Sequence, residues 1–190
     1  MELRWPDEPC TLIGDAVVLR PWETGDADAM VRACNDPEVA RWTTVPSPYT
    51  TADAASFIEA GPTSWAARTA MCFAVDAAPT FAARSTGPAT GSPALVGSMS
   101  VVDVAADLTV AEIGYWTAPW ARRRGLTAEA LDVLSSWLLD DVGFPTLRLV
   151  IDPVNVGSVA VARRSGFSVV EDPAAVRPLR DDHVVWQRGA

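Results

Sequence analysis

Apolar and polar positions fall into short blocks with two different periods. Thr11–Leu19, closing on Val17-Val18-Leu19, is a compact apolar run of strand type, broken by Pro21 and the polar run Trp22–Asp28. A short helix is predicted from Asp26, with Ala29, Met30 and Ala33 on one side. Thr50-Thr51-Ala52-Asp53 has the form of a capping box, in which Thr50 reaches forward and Asp53 reaches back. The helix it opens carries Ala54, Phe57 and Ile58 and is expected to break at Gly61-Pro62. Met71–Val75 reads as a strand. Residues 77–93, rich in Pro, Gly, Ser and Thr, read as a long loop. Ala94–Val104 and Val110–Thr117 are the next strands. After Pro119 the period changes: Leu126, Ala130, Leu131, Leu134, Trp137 and Leu138 form one helical stripe, which Gly143-Phe144-Pro145 ends. Leu147–Ile151 is a strand, and Asn155–Ser165 a helix closed by Gly166. Phe167–Val170 and Val184–Trp186 close the chain as strands. The order is β-α-α-β-β-β-α-β-α-β-β, without repeats. Residues 1–10 read as a loose leader and 11–190 as one domain.

Composition narrows the function. The 190 residues are 49 % hydrophobic and 21 % charged, an ordinary globular balance. A formal net charge of -9 argues against nucleic acid, whose phosphates need clustered cations, and favours a cationic substrate. All 15 basic residues are arginine, so no lysine is present for a Schiff base or a P-loop. Cys10, Cys34 and Cys72 are odd in number and widely spaced, which argues against a disulfide framework. With His183 as the single histidine, no metal site is expected. His183 reads as a strand-end residue and Cys72 as a small buried hydrophobe. No apolar run reaches membrane-spanning length, and the N-terminus lacks the apolar core of a signal peptide. A soluble, cytoplasmic protein is expected, with no membrane partner.

One stretch conflicts with this acidic background. Arg122-Arg123-Arg124 stand at the start of a predicted helix. Cations there oppose the helix dipole, at about 0.3–1 kcal/mol each. An anion bound in the turn removes the conflict, because helix N-terminal N–H groups and guanidiniums both stabilise it. Gly125 lets the backbone approach closely. A solvated basic turn is the alternative on local grounds. Neither GxxxxGK[ST] nor GxGxxG occurs.

EIGYWTAPWARRRGLTAEAL, residues 112–131, resembles motif A of the GCN5-related N-acetyltransferase (GNAT) superfamily. Arg122, Gly125 and Thr127 stand at the three signature positions of [Q/R]xxGx[G/A], with Thr127 a departure from Gly or Ala. Downstream, VNVGSVAVARRSGF resembles the family's NxxSxxxxxxxGF segment through Asn155, Ser158, Gly166 and Phe167. The opening VVLRPWETGDADAM also resembles the Rim-type branch, which includes ribosomal-protein N-terminal acetyltransferases. The likeness spans residues 15–188. It implies an α+β fold: one domain with a mixed, mostly antiparallel twisted sheet of about seven strands and about four helices.

The resemblance also implies a chemistry. Acetyl-CoA is the co-substrate, attacked directly by a primary amine in a ternary complex. Free amines have pKa values near ~10, so a base must take a proton, and the leaving thiolate benefits from a donor. Backbone groups of Trp116 and Thr117 would pair with the pantetheine arm. The turn Arg122, Arg123, Arg124, Gly125, Leu126, Thr127 would hold the pyrophosphate. Asn155 would bond the pantetheine or position its helix. Ser158, one helical turn on, would protonate the thiolate or serve as a capping or packing serine. Glu112 is the candidate base, because a carboxylate inside the apolar run VAEIGYW is costly unless paired or functional. Strand alternation also permits it to face outward. Tyr115 is a fallback acid. Trp42 and Trp65 would line the acceptor pocket or pack in the core. The acceptor is a protein N-terminus or a small cationic amine. A non-catalytic acyl-CoA-binding module is the competing class, and a homodimer is left open.

Overall fold

A computed structural model of the chain describes residues 3–79, 95–105, 107–171 and 183–189. Among these residues eight strands form one sheet: β1 (Leu12–Ile13), β2 (Val17–Pro21), β3 (Met71–Ala77), β4 (Leu95–Val104), β5 (Val110–Thr117), β6 (Thr146–Ile151), β7 (Ser168–Val169) and β8 (Val184–Gly189). Their spatial order is β1-β2-β3-β4-β5-β6-β8-β7, antiparallel except between β5 and β6. Among the described residues five α-helices flank it: α1 (Ala27–Cys34), α2 (Pro37–Trp42), α3 (Thr51–Ala66), α4 (Leu126–Ser136) and α5 (Val156–Arg164). The class is α+β, as the resemblance implies.

Burial follows the periods of the sequence. β6 alternates, with Leu147, Leu149 and Ile151 inward. β4 is buried without alternation from Leu95 to Val101, as expected of a strand covered on both faces. Leu126, Leu131, Leu134 and Leu138 meet Leu19, Phe73, Met99 and Val101 in the main core. A second cluster joins Met30, Cys34, Tyr49 and Ala54 under α1 and α3.

Four expectations change. The predicted first strand is a hairpin, β1 pairing with β2 and Gly14 donating to the Val17 carbonyl at 2.9 Å. The leader is not loose: Trp5 is buried, its indole N–H donates to Trp65 O at 3.1 Å, and its ring packs edge-on against Phe144. α3 runs through Pro62 instead of stopping there. Proline in a helix costs about 3 kcal/mol. Trp65, beyond it, offsets this by burial, by donating to Pro6 O at 2.8 Å and by ring contacts with Trp5, Phe73 and Trp137. α2 is unanticipated. The capping box at Thr50 and Asp53 forms, and the expected loop lies, from residue 80 on, outside the described residues.

An ion-pair network fastens β2 to the turn before α1. Arg20 donates to both carboxylate oxygens of Asp26, at 2.7 and 2.8 Å, and to Asp76 at 2.7 Å. Burial works to raise the Asp26 carboxyl. Arg20 and the Glu23 N–H outweigh it and leave the group below its ordinary 3.8. A folded-state pKa below the unfolded one stabilises above the unfolded value, and that stability is lost as pH falls through the folded value. Unfolding stability should therefore decline on acidification below about pH 4. Asp26→Asn should flatten that acid limb in thermal melts, and an unchanged slope would exclude Asp26 as its source.

Candidate functional site

The site begins where two parallel strands part. β5 pairs with β6 over Val110, Ala111 and Glu112. From Ile113 to Thr117 its edge on that side has no partner strand among the described residues, although β4 remains paired on the other. Gly97 on β4 permits a close approach at this end: the Trp116 carbonyl oxygen stands where a Cβ would be, so a side chain at position 97 would force the end of β5 to shift. Free N–H and C=O groups on an inner edge need partners from outside the sheet.

A cavity of about 570 Å³ opens at this splay. One wall is Tyr115, Trp116 and Thr117. The second is the turn after β5, where Arg123 and Gly125 are both left-handed, at φ 61 and 79. Such residues wind the backbone into a concavity that gathers N–H groups. Gly125 caps α4 without a side-chain bond to the first-turn amides. Those amides, a positive helix end and the arginines are groups of the kind that can hold an anion.

Asn155 and Ser158 form the third wall. Asn155 caps α5, its side-chain oxygen accepting from the Ser158 N–H at 3.1 Å. α5 is tied to α4 by Ser165, whose buried hydroxyl donates to Ala128 O at 3.2 Å. Tyr115 reaches across and donates to Ser158 O at 3.3 Å. Burial pushes the Tyr115 phenol up to about 12, against a smaller opposing pull from that bond, so it stays protonated at neutral pH.

Thr127 has a structural use. Its hydroxyl lies 2.6 Å from that of Thr117, pinning the first turn of α4 to the end of β5. Glycine or alanine cannot make this bond. Leu126 does not line the cavity; its side chain is 1 % exposed in the core, which leaves only its backbone toward the turn.

Glu112 is also off the cavity wall. Its Oε2 accepts from Arg148 Nε at 2.9 Å and lies 2.7 Å from Nη2. The carboxylate in the apolar run is therefore paired. Burial raises its pKa above 4.5, and Arg148 opposes the rise.

The fourth wall is α2, with Glu38, Val39, Trp42 and Thr43. The sequence did carry a signal for it. Asp36 precedes Pro37 at N1 and Glu38 in the first turn, a helix-start pattern. Trp42 donates its indole N–H to Glu38 at 3.0 Å, and Arg41 lies 4.4 Å over its ring. Trp65 is core, not wall. His183 stands directly before β8. Among the described residues no group of side chains could hold a metal ion, and no helix is long and apolar enough to cross a membrane.

A family model described as acetyltransferase (GNAT) domain matches residues 16–168. Solved structures share the fold. The chain is similar to RimL, a ribosomal L7/L12 α-N-protein acetyltransferase in complex with coenzyme A. There the TM-score is 0.75 and the identity 14 %, over 95 % of this chain and 98 % of that one. Mycobacterium smegmatis RimJ, in complex with CoA-disulfide, gives a TM-score of 0.72 and 20 % identity over 100 % and 90 %. MccE, the microcin C7 self-immunity acetyltransferase in complex with acetyl-CoA and AMP, gives 0.71 and 16 % over 93 % and 94 %. At these identities the likeness is one of fold. No curated protein matches the chain by sequence.

Proposed function

The chain belongs to the acetyltransferase (GNAT) family, and on that premise we propose that it moves an acetyl group from acetyl-CoA to a primary amine within a ternary complex. The observation that carries this reading is the edge of β5 left unpaired among the described residues, opening on a cavity whose far side is a helix start with no side-chain cap bond. An extended pantetheine fits a free strand edge, and a pyrophosphate fits amides at a helix N-terminus. In this reading Trp116 and Thr117 hold the arm, and the turn from Arg122 to Thr127 holds the diphosphate.

The proton steps fall to side chains around the splay. Ser158 faces the cavity and is the proposed donor to the leaving thiolate, with Tyr115 beside it as the alternative donor. Glu112 remains the proposed base. Its burial and its bond to Arg148 require it to act through water rather than by direct contact. Asn155 acts by aiming α5.

The acceptor we propose is a protein N-terminal α-amine, the substrate class in the description of RimL. A small cationic amine is the second reading, favoured by the net charge of -9 and by Glu38 and Trp42 on the wall.

Thiol release should be measured against N-terminal peptides and an amine library. Ser158→Ala and Glu112→Gln should each lower kcat about 100-fold, the scale of acid–base catalysis, while the affinity for CoA is kept. An unchanged kcat in Glu112→Gln would reduce the Arg148 pair to a structural one. Binding of acetyl-CoA with no thiol release for any amine would leave an acyl-CoA-binding module. At a hundred times its Kd, acetyl-CoA should add about 2.7 kcal/mol of stability; absence of any thermal shift would remove the donor site.

A further inference from the structure

Helix α2 and the cofactor turn are joined by one carboxylate outside the sequence motifs. Asp36 Oδ1 accepts from the backbone N–H groups of Glu38 and Val39, at 3.0 and 3.2 Å, and so caps α2. The same oxygen takes Nη2 of Arg122 at 2.5 Å. Just before the turn, Arg32 of α1 lies 3.9 Å over the Trp120 ring. The first arginine of the turn is therefore already neutralised by the protein.

We propose that Asp36 is an electrostatic latch. It holds Arg122 as an internal counter-ion while no donor is bound, and yields it to the diphosphate when acetyl-CoA binds. This inference rests on the donor-site reading above. Its physical basis is competition for one guanidinium. A carboxylate brings one negative charge, whereas the diphosphate brings two and is also held by the turn amides. Asp36 is half-buried beside the cavity, so an incoming anion must draw Arg122 away from it and leave its charge uncompensated, a cost that weakens anion binding while Asp36 is ionised. After release Asp36 keeps its two backbone bonds. α2 stays capped but loses its tether to the turn. Because α2 carries Glu38, Trp42 and Thr43 to the wall, loading of the donor reaches the acceptor side through this ion pair.

Asp36→Asn isolates the charge, since asparagine caps helices as well as aspartate does. Titration with CoA, and separately with inorganic pyrophosphate, should show both binding about fivefold more tightly in Asp36→Asn, the scale of a partly exposed ion pair. The KM for acetyl-CoA should fall with kcat unchanged. In the wild-type protein, CoA should speed hydrogen exchange at the α2 amides. In Asp36→Asn, exchange there should be fast before CoA is added. Equal or weaker binding by Asp36→Asn, or α2 amides that become slower on CoA binding, would overturn the latch and leave the donor site standing. Failure of the wild-type protein to bind CoA at all would overturn both.

Discussion

Gly125→Val is expected to weaken acetyl-CoA binding on the order of 100-fold while leaving the fold intact. Gly125 sits at φ 79 and opens α4. A β-branched residue in that left-handed region costs about 1–2 kcal/mol, which the chain recovers by shifting the turn. A Cβ there meets no neighbour within 4 Å, so the core is spared and the cavity mouth takes the change. Turning two amides away from an anion forfeits two charge-assisted bonds of about 1.5–3 kcal/mol each. Contacts that the remaining donors keep or regain offset part of this, leaving a net loss of about 2.7 kcal/mol, the hundredfold given. Isothermal titration with CoA measures it, and Gly125→Ala should fall between the two. Wild-type affinity in Gly125→Val would show that the turn does not hold the diphosphate.

The second large effect concerns stability. Trp65→Ala should destabilise the protein by about 3–5 kcal/mol, the range for deleting a buried tryptophan. Trp65 is 2 % exposed and packs against Trp5, Phe73 and Trp137. Its loss removes the anchor that holds the last turn of α3 beyond Pro62, and the packing partner of Trp5. Tm should fall on the order of 10 °C. Below that temperature the affinity for CoA should be unchanged, because Trp65 lies off the cavity. A loss under about 1 kcal/mol would show that α3 is held past Pro62 by something else.

Local chemistry made much of this molecule legible in advance. β5 runs from Val110 to Thr117 as its composition indicates, and Thr50 with Asp53 caps α3 as the pair requires. These features depend on neighbours within four residues, which a sequence displays directly. The misreadings lie where distant contacts override local preference. Pro62 should end a helix, and the packing of Trp65 carries the helix through it. Residues 1–10 lack periodicity, and Trp5 is nevertheless buried against Phe144. α2 spans only six residues, too short to show an apolar stripe.

The site divides in the same way. Arg122, Gly125, Asn155 and Ser158 were singled out through their resemblance to family motifs, and all four line the cavity. Sequence alone thus indicated the class of fold, the order of most elements from β3 onward and the stretch where positive charge collects. Tertiary structure decided what those groups meet. It paired Glu112 with Arg148, bonded Thr127 to Thr117, and placed the oxygen that caps α2 against the first arginine of the turn. Side chains 36, 10 and 86 residues apart meet in these three contacts. Their partners are set by strand register and helix packing, which no local pattern encodes.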